Sequence, residues 1–538
     1  MVTNEKQQEL ANLPIGTVLA IAPAGCGKTE ALAMRARAAI ERGDVTAPRK
    51  ILAVTFSNKA KSNLAARMHN CVGPNWRTRI TVANLHGLAA RIVKAHGEQI
   101  GVPGDITLPE RRWIYRKHRE LGISWKDQAA SDAFDAALRD AKNGLFTDDE
   151  VWDHLATTGN QQALDYEAAL RGDTRLDFDD VIRHAARLLD IDAVAALYRQ
   201  HFALVVVDEV QDLSMLQFGM VEALGHSRVT YAGDPAQGIY TFAGAQPALV
   251  FPAIEALAPA RVELDVSYRS APAVLGAVNA LAAAMGATQL RCANPDAWPG
   301  GGDVRGYFHD DLDDEAATLV DVIAGLLEDP QATIGVVFRR ATRVAALRNR
   351  LTDADIGFED WTRATHLPGT VALLQRWWPQ ASKAAEDDPT RLSEIERLCR
   401  DDLDADDADS LDELASAIDQ LEQALAEGMT LSQALASCRA PADPDAPVAA
   451  GLHLLSGHKG KGQEFDHVFI VGMEKGQIPD FRNEGPDEVE EELRVLHVMA
   501  SRARRRLAFT FCATNGYGRA QDRSPWLHLL EQAATDNV

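Results

Sequence analysis

Near the start of the chain, Ala22-Pro23-Ala24-Gly25-Cys26-Gly27-Lys28-Thr29 joins two glycines to a lysine and a threonine at the end of an apolar run. That pattern suits phosphate. Backbone N–H groups of a Gly-rich loop that opens a helix point at anionic oxygens, here those of Ala24, Gly25, Cys26, Gly27, Lys28, Thr29 and Glu30. Lys28 brings positive charge to the outer phosphates, and Thr29 brings a hydroxyl for Mg²⁺. A plain Gly-rich turn needs neither residue. Ala22 stands where the general pattern has Gly. A second apolar run ends in VVVDEVQD (Val205–Asp212). There Asp208 can hold Mg²⁺ and Glu209 can polarise an attacking water. Alone, Asp-Glu after a strand equally fits a helix start; beside a phosphate loop it fits hydrolysis. A third run leads into AGDPAQGIYTFAGA (Ala232–Ala245). Gln237 is a neutral group able to sense a terminal phosphate. Tyr240 and Phe242 are rings in a loop of small and polar residues, and one of them is as readily core. A kinase, a small GTPase and a DNA motor all remain open on these residues.

The elements that must carry these groups are legible as apolar runs. TVLAIAP (Thr17–Pro23), KILAVTFS (Lys50–Ser57), HFALVVVDE (His201–Glu209) and SRVTYAGD (Ser227–Asp234) are continuous enough for strands covered on both faces. They predict a parallel sheet flanked by helices, with ligands at its carboxyl edge. A largely helical stretch, about 91–200, separates the second run from the third. A second alternating set starts near Arg261, with RVELDVSYR, GGDVRGYFH, TIGVVFRR, LHLLSGH, DHVFIVGM and RLAFTFCA as strands. An acidic helical segment interrupts it and ends in the Pro/Ala/Asp linker RAPADPDAPVAA (Arg439–Ala450). The expectation is α/β: two parallel-sheet domains, each interrupted by a helical insert.

At 538 residues the chain exceeds one ordinary core. Its net charge of −23 at first argues against nucleic acid. Yet between Lys383 and Asp445 there are 18 Asp/Glu against 5 Lys/Arg, a net of −13, densest in DDLDADDADSLDE (Asp401–Glu413). The remainder is mildly acidic, so the global charge leaves room for a local basic groove. No apolar run suits a membrane span and no signal-peptide pattern opens the chain. Six scattered cysteines form no C-x-x-C pair, which predicts a reduced, cytoplasmic setting.

The ordered set NEKQ (Asn4–Gln7), APAGCGKT, AVTFSNKA (Ala53–Ala60), LHGLA (Leu85–Ala89), DEVQD, GDPAQGIY, VSYRS (Val266–Ser270), GHKGKGQEF (Gly457–Phe465) and ASRA (Ala500–Ala503) resembles the UvrD/Rep-like superfamily 1A DNA helicases. The resemblance spans about 4–512. It implies two RecA-like P-loop NTPase domains with ATP and Mg²⁺ in the cleft between them. By position, Gln7 matches a glutamine that reads adenine, Tyr268 a tyrosine that stacks on the base, and Arg35 an arginine near the base. Glu464 matches a residue facing the ribose, and Arg269 and Arg502 match two arginines at the γ-phosphate. Phe56, His86, Tyr240 and Phe242 match contacts to single-stranded DNA, and His458 with Lys459 could hold its phosphates. Translocation would run 3′ to 5′.

Departures from the family pattern are specific. Phe242 replaces Trp, Ala243 replaces Arg, Leu85 replaces an aromatic residue, and His458-Lys459-Gly460 replaces His-Ser-Ala. The expected layout is a compact form with reduced inserts: 1–92 and 197–256 as the first RecA-like domain, 93–196 as its insert, 257–368 and 447–538 as the second domain, and 369–446 as a short acidic insert. Little chain follows ASRARRRL, leaving no room for an appended nuclease. The acidic insert would repel duplex DNA and could dock a basic protein partner. Size and layout are similar to helicase subunits of antiphage defence systems such as Gabija and of mobile elements. The alternative to a motor is a nucleotide-gated DNA-sensing subunit of a multi-protein complex with weak unwinding.

Overall fold

The computed structural model describes residues 4–535 apart from 57, 105, 108–110, 124–127, 363–367, 404–413, 415–416, 419, 423, 426–428, 437 and 439–447. Most of the densest acidic run and of the Pro/Ala/Asp linker therefore lie outside the described residues. The chain forms two compact units.

The first unit comprises Met1–Leu85, Ala196–Thr362 and Asp445–Val538. Its first sheet contains β1 (Val18–Ile21), β2 (Lys50–Thr55), β3 (Ile80–Asn84), β4 (Phe202–Val207), β5 (Val229–Gly233) and β6 (Ala260–Glu263). All pairings are parallel, in the order β3-β2-β4-β5-β1-β6. Every residue of β1, β4 and β5 is buried, because helices cover both faces. Two findings go beyond the sequence reading. The strand β3 was not among the four runs. The RVE of RVELDVSYR, expected to open the second set, is instead β6 at the edge of the first sheet. The helix Pro247–Ala256 returns the chain beside β1, so β6 completes that sheet before the crossing.

After a small pair, β7 (Val266–Ser267) and β8 (Arg291–Cys292), comes a second parallel sheet. It contains β9 (Asp303–His309), β10 (Thr333–Phe338), β11 (Phe358–Asp360), β12 (Gly451–Ser456), β13 (Phe465–Val471) and β14 (Ala503–Cys512), in the order β11-β12-β10-β13-β14-β9. The five remaining runs of the second set all join it. One face packs on Val274, Leu281, Leu496 and Leu530, and the other on Leu319, Ile323, Leu347 and Leu351. The architecture is α/β with two parallel sheets, as RecA-like helicase domains require.

The second unit comprises His86–Ala195 and Arg363–Pro444. Its described elements are helical. The first segment has a core around Trp113, Phe134, Leu155 and Tyr166, and the second one around Leu374, Ile395, Leu414 and Leu431. In the first, the buried Lys142 ammonium is held by Glu167, Asp177 and Asp180 at 2.6–2.8 Å. Such a charge is tolerated inside only with full pairing. Among the described residues no helix is long and apolar enough to cross a membrane.

Candidate functional site

The phosphate loop lies between β1 and the helix α2 (Lys28–Glu41), behind the short helix α1 (Glu5–Asn12). Gly25 and Gly27 have φ of +83° and +76°, a region open to glycine at little cost. Glycine is also required for space. A Cβ on Gly25 would stand 2.7 Å from the Arg269 Cβ, and one on Gly27 would stand 2.6 Å from Gln7 Nε2 and 3.9 Å from the Tyr268 ring. Lys28 Nζ lies 3.1 Å from Asp208 and 2.6 Å from Glu209. Burial pushes the Asp208 carboxyl up. Burial also works against Glu209, but Lys28 and Lys461 outweigh it and hold Glu209 at about 2. Glu209 is therefore a carboxylate at neutral pH, and Gln211 Nε2 donates to it. Its φ of +59° re-aims the chain just past β4. Thr29 is half-buried in the first turn of α2. Cys26 is inert: burial pushes its thiol up to about 12, and its Sγ donates to the Pro23 carbonyl at 2.8 Å.

Residues from beyond the first sheet meet this loop. The Tyr268 N–H donates to the Gly25 carbonyl at 2.8 Å. Arg269 pairs with Glu464 at 2.6 Å and reaches the Ser501 carbonyl at 3.3 Å. Arg502, 1% exposed, donates to Val498 O and Ser501 Oγ and stands 3.5 Å from Gln237 Oε1. Burial and the adjacent Arg269 lower its pKa to about 9, which leaves it cationic at neutral pH. Gln237 in turn donates to Asp234 at 2.7 Å. Lys461 binds both oxygens of Asp212 at 2.6 and 2.8 Å and the Gln237 carbonyl at 2.8 Å. Burial raises Asp212 to about 6 against the pull of Lys461. Lys28, Asp208, Glu209, Gln237, Arg269, Glu464 and Arg502 are thus brought together, with Tyr268 at 37% exposure on their rim.

Three side chains make contacts outside this cluster of charges. Arg35 does not face the site. Its guanidinium is buried and donates to Thr230 Oγ1 at 2.6 Å and to the carbonyls of Leu10, Leu13 and Pro14 at 2.9–3.0 Å. Those carbonyls lie at the end of α1, where helical partners run out, so Arg35 anchors α1. Gln7, carried by α1, donates to the Cys26 carbonyl at 3.1 Å and accepts from the Asn4 N–H in a capping box. Its amide braces the loop. The Glu30 side chain pairs with Arg67 at 3.5 Å, and its backbone lies in the first turn of α2.

Rings gather at a separate place in the first unit. Tyr240, Phe242 and His458 pack with centroids 5.2–6.5 Å apart. Phe242 is 60% exposed. The Tyr240 hydroxyl donates to the His458 carbonyl at 3.3 Å, and Lys461 Nζ lies 4.6 Å over its ring. Burial, with Arg339 and Lys461, pushes His458 down to about 4, so it is a neutral ring at pH 7. Lys459 donates to the Trp361 carbonyl at 2.5 Å, and Phe56 is half-buried past β2. In the second unit, His86 makes an edge contact with Phe178 at 5.8 Å.

Asp212 and Lys461 lie within motifs, but the sequence assigns no task to them or to Asp234, Ser501 and the buried His497. The one available signal was a lysine between two glycines in GHKGKGQEF. A further acidic trio, Glu315, Glu474 and Cys512, is filled by the Arg343 guanidinium, which donates to both carboxylates at 2.6–3.0 Å.

The geometry agrees with comparison to known proteins. Residues 3–256 match the UvrD/REP helicase N-terminal domain and residues 373–514 match the UvrD-like helicase C-terminal domain. The chain belongs to the UvrD/Rep helicase family. The ATP-dependent DNA helicase UvrD2 of Mycobacterium tuberculosis is 28% identical over 571 aligned positions, covering 97% of this chain and 80% of that protein. The ATP-dependent DNA helicase PcrA of Staphylococcus epidermidis is 25% identical, covering 98% and 86%. The ATP-dependent DNA helicase Rep of Salmonella typhimurium is 24% identical, covering 100% and 95%. This helicase is thus similar to these proteins along nearly its whole length.

Proposed function

We propose that this helicase is an ATP-dependent 3′–5′ translocase and unwinding enzyme on single-stranded DNA, with ATP held between its two RecA-like domains. The observation that carries the reading is the approach of Arg269, whose Cβ leaves no room for a side chain on Gly25 of the phosphate loop. In this reading Lys28 holds the outer phosphates, Glu209 polarises the attacking water, and Gln237 senses the terminal phosphate. Arg269 and Arg502 neutralise charge developing in the transition state, an effect worth about 10³–10⁵ in rate in other NTPases. Asp208 and Thr29 suit Mg²⁺: a carboxylate and a hydroxyl are hard oxygen donors, and Mg²⁺ keeps few protein ligands beside substrate phosphates. Bound there, the ion would offset phosphate charge. Tyr268 borders the loop where a base would stack. Glu464, at the family's ribose position, holds Arg269.

Tyr240, Phe242 and His458, with Phe56 and His86, supply faces on which any base can stack. Lys461 joins Asp212 and Gln237 to the Tyr240 ring, so closure around ATP and grip on the strand are tied. The helicase names of the relatives favour this motor over the sensing subunit. The test is turnover with and without single-stranded DNA, then unwinding of 3′-tailed and 5′-tailed duplexes. DNA-stimulated turnover with unwinding from the 3′ tail is expected. Turnover indifferent to DNA would overturn the motor, and unwinding from the 5′ tail would overturn the polarity.

A further inference from the structure

From Val45 to Gly97 the chain has no Asp or Glu, against nine Lys or Arg, in a protein with 78 acidic residues. Part of this run folds into one face of the first unit. The helix Asn58–Val72 and the turn Trp76–Thr78 enclose a groove of about 350 Å³ lined by Ser62, Ala65, Ala66, His69, Trp76 and Arg77. The Arg77 guanidinium lies 4.7 Å over the Trp76 ring, and Lys50 Nζ donates to the Arg77 carbonyl at 3.1 Å. Lys61 is exposed beside Ser62. Among the described residues no carboxylate pairs with Lys50, Lys61, His69 or Arg77; Glu30 meets Arg67 only.

Lys50 opens β2 and Arg77 lies just before β3, so these two cations stand at the amino edge of the sheet, whereas the helix Asn58–Val72 starts at the carboxyl edge and carries Lys61 toward Phe56. Phe56 lies at the opposite edge, about 20 Å from Lys50 along β2 at roughly 3.3 Å per residue.

We propose that this face is a second DNA surface that takes the phosphate backbone of duplex DNA. The proposal rests on the reading that the protein acts on DNA. Single strands are gripped by exposed rings, but Trp76 is only 4% exposed, beneath Arg77. Duplex DNA hides its base faces and offers phosphates, which cations and small polar groups suit. The Lys383–Asp445 segment, at net −13, repels a duplex, whereas Lys50 and Arg77 present charge with no paired carboxylate among the described residues, and Glu30 is engaged by Arg67.

The test compares the full chain with the Lys50→Gln/Arg77→Gln variant on a blunt duplex between 50 and 200 mM salt, as titration conditions. Losing two phosphate contacts should flatten the slope of log affinity against log salt by about two. Affinity at the lowest salt should fall by about tenfold or more. Turnover stimulated by a single-stranded oligonucleotide should stay at the wild-type value, which also reports folding. Arg77→Lys, keeping the charge, should bind like wild type. Unchanged duplex affinity and slope, an equal loss on single strands and duplex, or a wild type that ignores duplex at 50 mM salt would each overturn the surface. An effect confined to polyglutamate binding would overturn it too, in favour of an acidic protein. The motor reading fails separately, if single strands leave wild-type turnover unchanged.

Discussion

Two clusters in the first unit are built from the same two sets of loops and have opposite character. Around Lys28, Asp208, Glu209, Asp212 and Lys461 the charges are largely buried and paired, and Arg502 lies buried beside them among neutral hydrogen-bond partners. Around Tyr240, Phe242 and His458 the groups are rings, one of them largely exposed and one a neutral histidine. The contrast follows from what each can bind. A triphosphate needs fixed opposite charges in a low-dielectric pocket, where misplacement is costly. A strand that must slide needs contacts indifferent to sequence. Substitutions should therefore act all-or-none in the first cluster and by degrees in the second.

The sharpest break is expected from Lys28→Ala or Glu209→Gln, either of which should bring ATP hydrolysis to background in a steady-state assay. Arg269→Ala should lower kcat by about 10³-fold or more, with a smaller change in KM. Lys461→Met leaves buried Asp212 unpaired, which costs about 3–5 kcal/mol and should appear as a lower unfolding midpoint with weakened DNA stimulation. Adding Asp212→Asn should recover part of the midpoint. In the ring cluster, Phe242→Ala removes one stack worth about 1–3 kcal/mol. Single-strand affinity should fall by about five- to 150-fold, with DNA-free turnover unchanged. The smallest effect concerns pH. His458 is held near 4 against an ordinary 6.5, so its contribution to stability is full above 6.5 and is lost as pH falls toward 4. The unfolding midpoint should drop less steeply across that window in His458→Gln. An equally graded response in both clusters would remove the distinction.

The sequence carried the motifs well because each ends a continuous buried run, as in VLAI and FALVVV, and such runs mark strands covered on both faces. It carried β3 and β11 poorly. Both are short edge strands with half-buried residues, ITVAN and FED, whose patterns are weak. The assignment of β6 required knowing that the helix after β5 returns to the same sheet. Arg35 shows another limit: its spacing from Lys28 is legible, but the direction of its side chain depends on the α1 carbonyls it finds. The Lys461–Asp212 pair joins residues 249 apart, a distance over which one sequence offers no pairing signal.

The ammonium of Lys461 lies over one side of the Tyr240 ring while gripping Asp212 and the backbone of Gln237. In the proposed motor, a base stacked on that ring would meet the side away from the ammonium, and a tilt of the ring would reach the pocket around Lys28 through one nitrogen. Track and engine would then share a bearing, and wear at that point would disable both at once.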